Sequence, residues 1–146
     1  MATDPATMCN ILVGLEGVRV VKVIECEEGV VEVTIETVEN KIPCPACGSI
    51  ASLKERRPTK LTDVYAFGRK VELIWLKRRL QCSNEACGTS TFTEVNPSIA
   101  SARLKLTTRA ARWAVEQVGR HGRSISEVSG DLGCNWHTVN NFRNGW

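Results

Sequence analysis

No stretch of this 146-residue chain approaches the ~18 consecutive apolar residues that a membrane span requires. The N-terminus, "MATDPATM", is acidic and has no apolar h-region, which argues against a secretory signal peptide. No internal repeat and no low-complexity tract occurs, so neither a repeat array nor a compositionally biased tail is indicated. A pocket-forming set of nucleophile and base is missing too, and nothing points to a small enzyme. Net charge is scarce, at +3. The expectation from these absences is a soluble, cytoplasmic protein of one modest domain or two small ones, with no membrane partner.

The small net charge hides a polarity. Residues 1–41 carry 8 acidic and 3 basic side chains, a balance of −5, whereas residues 42–146 carry 8 and 16, a balance of +8. A basic second part points to a polyanion partner, and nucleic acid is the expectation. Within 1–41, "GVRVVKVIECEEGVVEVTIET" joins two β-branched runs through "EEG", which predicts a β-hairpin with an acidic outer face at Glu32 and Glu36. Such a face should not lie on DNA.

Residues 42–95 hold two cysteine pairs with strand-like segments between them. Cys44 and Cys47 form C-x2-C; Cys82 and Cys87 form C-x4-C after a spacer of 34 residues. Without a secretory signal, reduced thiols or metal ligands are favoured over disulfides. Prolines and strands fit a redox C-x-x-C poorly, since that motif normally opens a helix. Four thiolates on two turns can instead enclose one tetrahedral Zn²⁺, as in a zinc ribbon. Four protein ligands leave no open position for water, so this metal is expected to be structural. Glycine after each second cysteine, Gly48 and Gly88, leaves room for amides to approach sulfur. Cys9, Cys26 and Cys134 have no partner at metal spacing and read as small apolar residues.

"NPSIASARLK", residues 96–105, has the turn residues of a linker. From residue 107 the period becomes helical. Thr107 can cap "TRAARWAVEQVGRHG", with Ala111, Ala114, Val115 and Val118 on one side and Arg109, Arg112, Glu116 and Arg120 on the other. "SISEVSGDLGCNWHTVNNF" then fits a helix-turn-helix: Val128 and Leu132 face inward, Ser129 sits where helices cross, Gly133 makes the turn, and Val139 and Phe142 anchor the last helix. Asn135, Trp136, His137, Asn140 and Asn141 are left to face outward, toward a major groove. Asn can bond adenine bidentately, and His137 can reach a phosphate or a base edge.

Three stretches carry a resemblance: "CPACG", "RRPTKLTDVYAFGRKVELIWLKRRLQCSNEACGTSTFTE" and "LTTRAARWAVEQVGRHGRSISEVSGDLGCNWHTV". Together they resemble the N-terminal region of ISL-three-type insertion-sequence transposases, over roughly residues 12 to 143. That resemblance implies recognition of an element's terminal inverted repeats on double-stranded DNA in a bacterial cytoplasm, at the nucleoid. It also implies a separate downstream domain with three acidic residues that cuts and joins DNA. Nothing in this chain matches that triad, so the expectation is a truncated, non-catalytic region. Where the resemblance implies basic residues just after the fourth cysteine, this chain has Gly88, Thr89 and Ser90, so no phosphate contact is expected from those positions.

The expected architecture is α+β: an N-terminal β-hairpin segment (1–41), a four-cysteine zinc ribbon (42–95), a linker (96–106) and a helix-turn-helix segment (107–146). Phosphate contacts are expected from Arg56, Arg57, Lys77, Arg78 and Arg79 on the ribbon, and from Arg103, Lys105, Arg109 and Arg112 on the linker and first helix. Such contacts position a protein, and the Asn-rich helix would specify sequence. A homo-oligomer stays open. The rival is a zinc ribbon serving as a protein-interaction module.

Overall fold

β-branched residues in two runs produce the expected hairpin in the computed structural model, which describes residues 4–38, 41–101 and 104–144. Strands β1 (Val18–Glu25) and β2 (Val31–Thr37) pair antiparallel across a tight 3-10 turn at Glu27–Gly29. Two longer strands follow, β3 (Ser52–Thr62) and β4 (Val71–Gln81), also antiparallel, and the short β5 (Thr91–Thr93) closes on the end of β4. One sheet holds all five, in the order β1-β2-β4-β3, with β5 also on β4. The β2–β4 contact is parallel, pairing Val31–Ile35 with Val71–Trp75. The acidic hairpin and the cysteine-bearing segment therefore share a sheet that runs across the expected 41/42 boundary.

Central position explains the composition of β4. Its inward phase is covered by the core, with Val71, Leu73 and Trp75 buried, while Glu72, Ile74 and Leu76 on the other face are half-buried. Leu73 and Trp75 are almost completely buried, together with Ile35, Leu61 and Ile99. Burying side chains of this size contributes about 1.5–3 kcal/mol each. Val13 and Leu15 pack on the same cluster. Val13 ends, and Leu15 follows, a helix that the sequence pattern did not announce, α1 (Pro5–Val13). Its Asp4 cap accepts the Thr7 amide at 3.0 Å, Pro5 opens the first turn, and Gly14 closes it in the left-handed region at φ 65°.

The described residues of the segment expected as a linker, 96–101 and 104–106, are packed instead. Ile99, Ala100 and Leu106 are buried, and the Thr62 amide donates to the Lys105 carbonyl at 2.8 Å. Three helices follow: α2 (Thr108–Gly119), α3 (Ile125–Leu132) and α4 (Trp136–Asn144). Thr107 and Ser124 cap the first two, each accepting the backbone N–H three residues on. Their second core joins Leu106, Ala110, Ala111 and Ala114 to Val128, Leu132 and Val139. The observed class is α+β, with N-terminal strands, a four-cysteine cluster and C-terminal helices.

Candidate metal centre and nucleic-acid interface

The two cysteine turns meet at one end of the β3–β4 hairpin, since Ser52 lies opposite Gln81 in the register. The first turn is closed by Pro43 and Ile50 bridging across it, and the Gly48 amide donates to the Cys44 carbonyl at 2.9 Å. Gly48 holds φ 75°, a conformation that favours glycine there. In the second turn the Cys87 amide donates to the Asn84 carbonyl at 3.0 Å, and the Ser83 hydroxyl reaches the first turn at the Ile50 carbonyl, 2.7 Å away. The sulfurs of Cys44, Cys47, Cys82 and Cys87 all lie within 4.8 Å of one another. Cys44–Cys87 is 3.9 Å and Cys47–Cys82 is 3.5 Å. A tetrahedron with ~2.3 Å Zn–S bonds needs sulfurs about 3.8 Å apart, so the geometry fits.

The thiol chemistry fits too. Backbone N–H groups of Cys47 and Ala46 hold the Cys44 thiol below the ordinary cysteine value. Cys47 is lowered to about 6, first by the Ser49 hydroxyl and then by its amide. Cys82 moves the other way, to about 12: the Asn84 backbone favours its thiolate, but burial and the neighbouring sulfurs outweigh that. Four sulfurs this close resist full ionisation unless a cation shares them. The site fits one structural Zn²⁺.

Gly133, at φ 77°, turns the chain between α3 and α4. Val128, Ser129, Leu132 and Val139 are buried at the crossing, as the pattern predicted, while the side chain of Phe142 lies outside the described residues. Trp136, His137 and Asn141 are exposed, Asn140 is partly covered, and the Trp136 and His137 rings meet edge-on at 5.2 Å. Asn135 is exposed too, and its side-chain oxygen accepts the His137 amide at 2.9 Å in the first turn of α4.

The cations expected to touch phosphate fall into two groups. Arg78 corrects the expectation for its position. Its side chain is 9% exposed and donates to the equally buried Glu94 through Nε at 3.2 Å and Nη2 at 3.0 Å, while the Thr37 hydroxyl donates to the same carboxylate. An arginine neutralised inside the sheet cannot also serve DNA. Arg109 is likewise drawn inward, because its Nε donates to the buried Asp63 at 2.9 Å and its Nη1 to the Val13 carbonyl. Arg56 is exposed but lies 3.6 Å from Glu36, and Arg57 pairs with Glu55 at 2.7 Å. Lys77 sits 4.7 Å over the Trp75 ring, and Arg79 donates to the Thr91 hydroxyl at 3.0 Å. Lys105 and Arg112 are exposed, whereas Arg103 lies outside the described residues.

Two residues were missed. Lys54 is exposed beside the zinc turns, and its position in a basic strand was the available signal. Asp63 is buried and binds Thr107, at 2.7 Å, as well as Arg109. A lone acid beside a turn carries no pattern that would announce this.

The four-thiol site and the three-helix unit together define a zinc-ribbon, helix-turn-helix DNA-binding protein. Two family models match the chain: the zinc-finger of transposase IS204/IS1001/IS1096/IS1165 over residues 40–87, and the helix-turn-helix domain of transposase family ISL3 over residues 96–141. The chain thus carries the paired zinc-ribbon and helix-turn-helix modules of ISL3-family transposases. Neither match is a catalytic domain. The second begins at residue 96, ahead of α2, and so takes in the packed segment as well as the helices. No curated protein and no solved structure matches the chain. Among the described residues no helix is long and apolar enough to cross a membrane.

Proposed function

We propose that this region recognises the terminal inverted repeats of an insertion sequence on duplex DNA and so supports transposition without itself cutting the strands. It would act at the nucleoid in a bacterial cytoplasm, and because inverted ends come in pairs, at least two copies would serve one element. The observation that carries this reading is α4, whose inner side is anchored by Val139 while Trp136, His137 and Asn141 stand exposed. Asn140 and Asn141 are the base-reading residues, with His137 and Trp136 beside them. Lys54, Arg57, Lys77, Arg79, Lys105 and Arg112 supply the phosphate contacts; Arg56 is a weaker contributor because of Glu36.

A gel-shift titration at two salt concentrations tests it. Affinity should fall with a log–log slope of about −0.9 per phosphate neutralised. Arg112→Glu should weaken binding to all sequences alike, whereas Asn141→Ala should flatten the preference for an inverted-repeat end by roughly 1–3 kcal/mol. A salt-independent affinity would sink the proposal. The rival, a protein-interaction module, has in its favour an apolar cavity of about 320 Å³ lined by Leu12, Val23 and Phe67 among others, with Phe67 87% exposed. Failure to bind any duplex would favour that rival.

A further inference from the structure

The zinc centre and the helix-turn-helix sit at opposite ends of one hairpin. Cys47 and Cys82 flank the Ser52–Gln81 end of β3 and β4, whereas residues 62–70 at the other end hold the helices. Five contacts make that second junction. Asp63 binds the Thr107 hydroxyl and the Arg109 guanidinium, and Thr62 bridges to Leu106. Tyr65 meets Trp113 edge-on at 5.6 Å. The stem of Lys70 lies so close to the helix-turn-helix turn that a Cβ at Gly133 would come within 2.7 Å of it. Hydrogen-bonded strands with such an anchor behave as a strut rather than a tether.

Length and charge give the strut a meaning. Strand β3 has 11 residues, and ten steps of ~3.3 Å make roughly 33 Å. One turn of B-DNA is about 34–36 Å. Cations gather at the zinc end: residues 52–58 and 76–82 hold six basic side chains and one acidic one, and five of the six remain once Arg78 is set aside with Glu94. Residues 59–75 between them hold three basic and two acidic ones, and there Lys60 pairs with Glu72 and Arg69 with Glu25. Beyond the strut, α2 carries the exposed Arg112.

We propose that the zinc end and α4 grip one duplex at two places about one helical turn apart, with Asp63 as the positioning residue that sets their phase. This rests on the DNA-binding reading above and adds the layout of the site. The recognised end is bipartite: α4 reads bases in one stretch, and the zinc end holds backbone phosphates, through Lys54, Arg57 and Arg79, in the next.

The test starts from a duplex that the whole chain selects from random DNA. Hydroxyl-radical footprinting should show two protected patches with centres about 10 bp apart. Inserting 2 bp between them should lower affinity roughly 100-fold at 0.1 M salt, the counterion effect of losing two or three phosphate contacts. Asp63→Asn should bind less tightly than the parent yet lose much less to the insertion, because a loosened joint can adjust its phase. Should that variant fail to retain zinc and helical signal, Arg109→Ala, which leaves the Asp63–Thr107 bond in place, takes its role. A single patch, a free 2-bp insertion, or an unchanged insertion penalty in the folded variant would overturn the bipartite layout and leave the DNA-binding reading standing. No protection of any duplex would overturn both.

Discussion

At the zinc end, Cys44 is the only one of the four ligands that is fully buried, and Ile50 and Leu53 beside it are each 51% exposed. At the helical end, Leu106, Ala110, Ala111, Ala114, Val128, Leu132 and Val139 are all at most 3% exposed. The first end has little apolar surface to hide and depends on coordination. The second excludes water with small alanines and branched side chains that let three short helices approach closely. Small units that cannot bury enough surface commonly need such a staple. The contrast means that the two ends should fail separately.

Metal removal should have the largest effect. Structural zinc supplies on the order of 10 kcal/mol or more of apparent binding energy. A chelator, or Cys82→Ser, should therefore abolish amide protection around residues 44–53 and 80–93 while α2–α4 keep theirs. Hydrogen exchange read by mass spectrometry checks this, and simultaneous loss at both ends would break the comparison. Next comes the buried pair that ties β5 to β4. Glu94→Gln leaves the Arg78 charge buried with a weaker partner and should cost about 3–5 kcal/mol in urea unfolding.

Leu132→Ala tests the opposite end. It should cost about 2–5 kcal/mol, with zinc content by native mass spectrometry unchanged. Smallest of all is Ser124→Ala, which removes the cap that accepts the Glu127 amide at 3.1 Å. About 1 kcal/mol is the expected loss, confined to α3 and visible as faster exchange in its first turn.

Local chemistry was legible and non-local commitment was not. Cysteine spacing located the metal ligands, and Thr107, Ser124 and Gly133 marked helix ends, because each of these signals is complete within a few residues. The helix α1 had a readable frame in Asp4, Pro5 and Gly14. Its turns bury no side chain fully, however, so no inward-facing stripe drew attention to it. The parallel β2–β4 pairing and the fate of Arg78 and Arg109 depend on partners that only the folded chain supplies. Glu94 meets Arg78 across 16 residues, and Asp63 meets Arg109 across 46. A basic residue in a sequence is a candidate for phosphate until its carboxylate is found.

The parallel contact between β2 and β4 also sets a clock on synthesis. Val31 pairs with Val71, 40 residues later. A ribosome adding about 5–20 residues per second leaves roughly 2–8 s between the emergence of one and the other, whereas a β-hairpin closes in about 1–10 μs. The β1–β2 hairpin is thus complete long before its neighbour exists, with Val33 and Ile35 turned toward a core that has not yet been made. For those seconds the nascent chain presents an unpaired β2 edge bearing an apolar face, the kind of surface that chaperones hold and that other chains can capture.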